Sequence, residues 1–69
     1  MKDKSRIRGV CGRLAAAWER VPELRFGQLM SNVFLAMQSE GKDPFFPEDD
    51  SMIEYIEQYI ERQTQNRIV

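Results

Sequence analysis

Apolar residues recur along this chain at intervals of three and four, in three separate runs. In the first, Ile7, Val10, Cys11, Leu14, Trp18 and Val21 fall on one face, with Ala15 and Ala17 at its flanks. The second contains Phe26, Leu29, Met30, Val33, Phe34 and Met37, the i, i+3, i+4, i+7, i+8, i+11 series of one helical face. In the third, Met52, Ile53, Ile56, Tyr59 and Ile60 repeat in the same way, with Tyr55 at the edge. No stretch alternates with period two, so no strand is predicted. The pattern predicts an all-α protein, a small three-helix bundle forming one domain over residues 1–69, with 1–5 and 64–69 frayed.

Local signals divide the runs. Ser5 is a suitable N-cap for the first helix, and Pro22 makes continuation past Val21 unfavourable. Gly9 and Gly12 weaken that helix and read as points of fraying or close approach. The corner Val21-Pro22-Glu23 is too short for anything but an antiparallel helical hairpin. Glu23 places a carboxylate near the positive end of the second helix, which stops at Gly41, a natural residue just past a helix end. A linker with Pro44 and Pro47 precedes the third helix, and at least one of Phe45 and Phe46 is expected to cover the open end of the bundle. The third helix starts around Asp49 to Ser51, with Ser51 and Glu54 in capping-box spacing and Asp49 and Asp50 near its positive end.

Charge changes the picture most in the second run. From Phe26 through Ser39 there is no charged side chain, in a protein that is 30% Asp, Glu, Lys and Arg. A surface helix normally shows water a charged back, so this one is either flanked on two sides or part of a subunit interface. Its far side carries Gly27, Gln28, Ser31, Leu35 and Gln38, joined by Leu24 at the helix start. These six residues are the candidate self-association surface of a homodimer. The competing expectation is that flanking helices or the Phe45-Phe46 linker wrap round and cover Leu35 within one chain.

Elsewhere the charges segregate. Lys2, Lys4, Arg6 and Arg8 form a basic beginning, and Glu54, Glu57 and Glu61 belong to an acidic second half, for a net charge of −1. Arg6, Arg13 and Arg20, seven apart, line one edge of the first apolar face. Their favoured role is to lay aliphatic stems over the rim of the core and pair with the acids; a docking stripe for phosphate or carboxylate is the alternative.

Composition narrows the chemistry. There is one cysteine and no histidine, so no disulfide, no Ser-His-Asp or Cys-His set, and no zinc or haem site from protein ligands is expected. Cys11 and Trp18 read as a packed thiol and a core anchor. No glycine-rich phosphate loop is present, and the acids around 43–50 lack the alternating ligands and central glycine of a calcium loop. No catalytic, cofactor-binding or metal-ligating residue is assigned, and no enzymatic activity is expected. The absence of an apolar signal core or membrane-length run predicts a cytoplasmic, non-membrane protein.

Trp18 to Leu29 (W-E-R-V-P-E-L-R-F-G-Q-L) and Asp43 to Asp50 (D-P-F-F-P-E-D-D) resemble segments of a set of short bacterial and phage-borne helical proteins without an assigned activity. That resemblance implies the element layout and no chemistry. Arg25 and Gln28, the polar residues inside the matching segment, either fix the helix start by hydrogen bonds or contact a partner. The function expected is a non-catalytic protein–protein interaction module that self-associates through the second helix. The alternative is a nucleic-acid-binding accessory protein using the arm Lys2, Lys4, Arg6 and Arg8, an attraction without sequence preference that salt weakens. Against helix-turn-helix reading stand the anionic third helix and a linker longer than the usual turn.

Overall fold

A computed structural model describes residues 3–66 and contains three helices: α1 (Ser5–Trp18), α2 (Phe26–Ser39) and α3 (Asp49–Asn66). The all-α three-helix expectation holds. Three contacts give the direction of the outer pair. Arg6 reaches Asp49, Arg13 reaches Glu57 and Arg20 reaches Thr64, so sequence number rises together along α1 and α3. The two helices therefore run parallel, with α2 antiparallel between them in chain order.

The core is small. Ala17 and Val21 come from the first segment, Leu29, Val33 and Met37 from α2, and Ile53, Ile56 and Ile60 from α3. Val10, Leu14, Trp18, Met30, Met52 and Tyr59 pack around them, half-buried. Full burial of a Leu, Ile, Val or Met side chain contributes about 1.5–3 kcal/mol, so these few positions provide most of the apolar driving force.

Two helices are rotated from the setting their periodicity predicts. On α1 the covered side is centred on Ala17, while Cys11 is exposed and Ile7 is 49% exposed. The cause is α3, the helix whose backbone comes closest to α1 and which lies against the Ala17 and arginine side. Small Ala16 and Ala17 permit that approach, which draws the Cys11 edge away from cover. Cys11 is thus not the packed thiol expected. On α2, Phe34 sits at the edge of the buried stripe and Phe26 at the start of the helix, and they are 36% and 51% exposed.

The helix ends are held by identifiable bonds. Ser5 is the first residue of α1, not its cap: Lys4 holds the cap position without a side-chain bond. Asp3 Oδ1 just before it accepts from the Ser5 backbone N–H at 2.9 Å, a bond that with one from the Ser5 side chain lowers the Asp3 carboxyl pKa. At the corner, Val21 N–H donates to Trp18 O and Leu24 N–H to Val21 O, and the Trp18 indole N–H donates to Leu24 O at 2.8 Å. Trp18 is half-buried and meets the Phe26 ring at 5.7 Å, so it anchors the hairpin corner more than the centre of the core. Gly41 has φ +76°, with Gly41 N–H on Gln38 O and Lys42 N–H on Met37 O, the paired bonds of a Schellman end. Gly9 and Gly12 mark no close approach, because a methyl group at either would meet nothing within 4 Å.

α3 begins at Asp49, which places Ser51 inside the first turn, so the Ser51–Glu54 box does not cap it. Asp49 and Asp50 do occupy the first turn as expected. At its other end the helix extends through Asn66, and Thr64 is half-buried and bonded to Arg20 at 3.0 Å, so residues 64–66 continue the helix. Residues 67–69 of the expected frayed end lie outside the described residues, as do Met1 and Lys2.

Candidate interaction surface

The seam between α1 and α3 is charged and paired. Arg13 holds Glu57 with two bonds, Nε to Oε2 at 2.9 Å and Nη2 to Oε1 at 2.6 Å. Arg6 Nη1 meets Asp49 Oδ2 at 2.6 Å, and Arg20 Nη2 donates to Thr64 Oγ1. The Arg13 hydrogen bonds lower the Glu57 carboxyl pKa, and the same pair raises that of Arg13. The heptad-spaced arginines therefore pair within the chain, the favoured of the two expectations, and the open grooves beside them are lined by these arginines together with acids of α3.

Those pairings also reduce the basic arm. Arg6, though exposed, is paired with Asp49, Lys2 lies outside the described residues, and Lys4 and Arg8 are exposed. Among the described residues there is no group of acids and cysteine that could hold a metal ion, and no helix long and apolar enough to cross a membrane.

The outer side of α2 is its opposite. Gly27, Gln28, Ser31, Leu35 and Gln38 are all exposed, with Leu35 at 61%. Neither a flanking helix nor the linker covers Leu35, so the wrapped-chain expectation fails. Leu24, the sixth candidate, is instead half-buried against the core, and its carbonyl receives the Trp18 indole. A side chain grown from Gly27 would enter open space. Phe34 borders the same surface, whereas Phe26 is in line with the buried Leu29 and Val33 and is exposed as the first residue of the helix, against the Trp18 ring. Both were assigned to the buried face by periodicity. The place of Phe34 at the edge of the stripe, and of Phe26 at the helix end, was the available signal.

Gln28 has a structural role: its Oε1 accepts the Arg25 backbone N–H at 2.8 Å, closing the first turn of α2. The Arg25 contribution is this N–H, at an extended φ of −75° and ψ of 156°. The first of the two readings of this pair, fixing the helix start, is therefore seen.

At the α2–α3 linker, Asp43 Oδ1 accepts the Phe45 N–H at 2.9 Å, and Pro44 and Pro47 are half-buried. Phe45 and Phe46 are 83% and 76% exposed and pack edge-to-face on each other, centroids 5.1 Å apart. Neither covers the end of the bundle. With Pro44 and Pro47 turned inward, the two residues between them are carried out to the tip.

One polar group near this end is enclosed. The Tyr55 hydroxyl is shut off from solvent without a hydrogen-bond partner, while Lys42 Nζ lies 5.2 Å from the ring centroid. Burial, then the Glu40 carboxylate, push the Tyr55 pKa up, and Arg62 partly opposes them. Comparison with known proteins gives no match, whether to a family model, a curated protein or a solved structure.

Proposed function

We propose that this chain is a non-catalytic protein–protein interaction module that pairs with a second copy of itself through the outer side of α2. The observation that carries this reading is an exposed helix surface with no charge on it, holding Leu35 and Phe34 in water. Scattered exposed apolar residues are ordinary, but a contiguous set without charge is a surface suited to burial.

The choice of a second copy rests on charge and area. A two-fold dimer sets each patch against itself. α3 turns Asp50, Glu54 and Glu61 outward, which would face like charges. α1 turns out Ile7, Cys11, Gly12 and Ala15, but with Arg8 among them and Lys4 and Glu19 at the two ends, so its exposed apolar area is interrupted by charge. The α2 side meets itself without repulsion. A standard interface takes about 800 Å² from each partner, roughly one seventh of this chain's 5335 Å². A helix of 14 residues spans about 21 Å, so the pairing belongs at the small end of stable interfaces and dissociates on dilution. The experiment is Leu35→Asp. It is expected to fold as the parent does and to stay monomeric where the parent pairs, because an unpaired carboxylate is costly in a dry interface. A variant that associates as the parent does would contradict the reading.

A further inference from the structure

We infer that the Phe45–Phe46 tip of the α2–α3 linker is an anchor for a partner protein, seated in an apolar pocket of that partner whose rim carries lysine or arginine. This inference does not depend on the α2 pairing proposed above. At 83% and 76%, the two rings are the most exposed large apolar side chains among the described residues. Neither belongs to the core or to its half-buried margin. The tip is nevertheless held in shape. Asp43 Oδ1 accepts the Phe45 N–H, the half-buried Pro44 and Pro47 stand on either side, and the rings pack edge-to-face on each other. A group already fixed in one shape loses less conformational freedom on association. Aromatic side chains that fill a partner's pocket carry much of the binding energy at protein interfaces.

Charge selects the chemistry of the partner. From Asp43 through Asp50 the chain carries four acids and no base. Arg6 offsets one of them, at Asp49, while Asp43, Glu48 and Asp50 are exposed. A surface that closes over the rings must come up against these carboxylates, and a basic rim meets them favourably where an acidic one is repelled. The concave surfaces of a second copy do not fit. The cleft at Ala15, Trp18, Glu19 and Pro22 has an acid and no base, and the grooves along the α1–α3 seam mix arginines with acids. The same carboxylates oppose approach to a membrane of anionic lipids.

The probe is a library of random peptides displayed on phage, selected against the immobilised chain at low salt. A soluble variant, Phe45→Ser with Phe46→Ser, is present in excess as competitor; it alters two exposed side chains and should melt with the parent. The enriched peptides are expected to combine apolar residues with Lys or Arg. Synthetic copies should bind the parent at least about tenfold more tightly than the variant, and less tightly as salt rises. Asp43→Asn keeps the oxygen that accepts the Phe45 N–H but removes its charge, and together with Asp50→Asn it should weaken binding several-fold. Leu35→Asp should bind the peptides as the parent does, which separates this inference from the α2 pairing. A selection that enriches nothing over the competitor, or peptides without basic residues, would overturn the inference. So would binding of the parent but not the variant to phosphatidylcholine vesicles, which would make a lipid surface the occupant. Association beyond two copies that the variant loses would make the occupant a second copy and overturn it equally.

Discussion

The α1–α3 seam and the outer side of α2 are built from opposite materials. Along the seam, arginines at seven-residue spacing meet partners on the neighbouring helix, and Arg13 holds both oxygens of Glu57. On α2, no charge occurs in 14 residues, yet Leu35 and Phe34 face water on its outer side. The seam's arginines find partners within one chain; the α2 side leaves apolar surface without cover. In a small domain, where folding buries a modest fraction of the surface, such a face is where further burial is most available. The difference teaches that polar surface here serves internal register, while neutral surface is what remains for association.

The largest effect should come from comparing two leucines on the same helix. Leu29 is fully buried and Leu35 is not. Leu29→Ala is expected to cost about 3 kcal/mol, a large share of the stability of so small a domain. Leu35→Ala should leave unfolding of the dissociated chain nearly unchanged. Chemical denaturation at low protein concentration measures both, and equal losses would erase the distinction between the two sides of α2.

Smaller gains are expected on α1. Gly9→Ala and Gly12→Ala should each stabilise the helix by up to about 1 kcal/mol, since neither methyl meets a neighbour and glycine is a poor helix former. Thermal melts would rise by about 4–8 °C per kcal/mol gained. A fall in melting temperature would mean that α1 makes a close approach at these positions.

The seam itself should respond weakly to mutation and visibly to salt and acid. Arg13 and Glu57 are exposed, so a double-mutant cycle should return a small coupling that fades as salt rises. The folded-state carboxyl pKa of Glu57 is lowered by Arg13. Its contribution is therefore present above the unfolded glutamate pKa and lost as pH falls through the lower folded value. Glu57→Gln should remove that part of the acid dependence. An unchanged acid limb would show that the pair does not hold in solution.

The smallest effect concerns Tyr55. Its folded pKa is raised by burial and Glu40, so it favours folding below the unfolded tyrosine pKa, and that support falls as pH rises past about 10. Tyr55→Phe should flatten the alkaline limb and, by removing an enclosed hydroxyl without a partner, cost little at neutral pH. A large loss at neutral pH would mean that the hydroxyl is bonded.

Much of the fold was legible from residue spacing. Three apolar runs became three helices, Gly41 took the left-handed position at the end of α2, and two of the three heptad arginines found acids on α3, the third a threonine. Periodicity did not give the rotation of α1 and α2. An apolar stripe can be wider than the contact it makes, and which part is covered depends on where the other helices lie. Cys11, Ile7 and Phe34 fell on the uncovered margins for that reason, and Phe26 is exposed because it opens its helix. The linker phenylalanines were misplaced because hydrophobicity alone was taken to draw them inward, whereas the half-buried prolines and the Asp43 turn direct them outward. Of the six candidate residues, five are exposed on α2, as the absence of charge there implied, and Leu24 is not, because its cover comes from the corner.

Sedimentation equilibrium of the parent chain over a wide concentration range tests the central claim most directly. The account predicts a mass rising from the 8.1 kDa of one chain toward twice that value, and no further, as concentration increases. A mass that stays at 8.1 kDa at the highest concentration reached would contradict it.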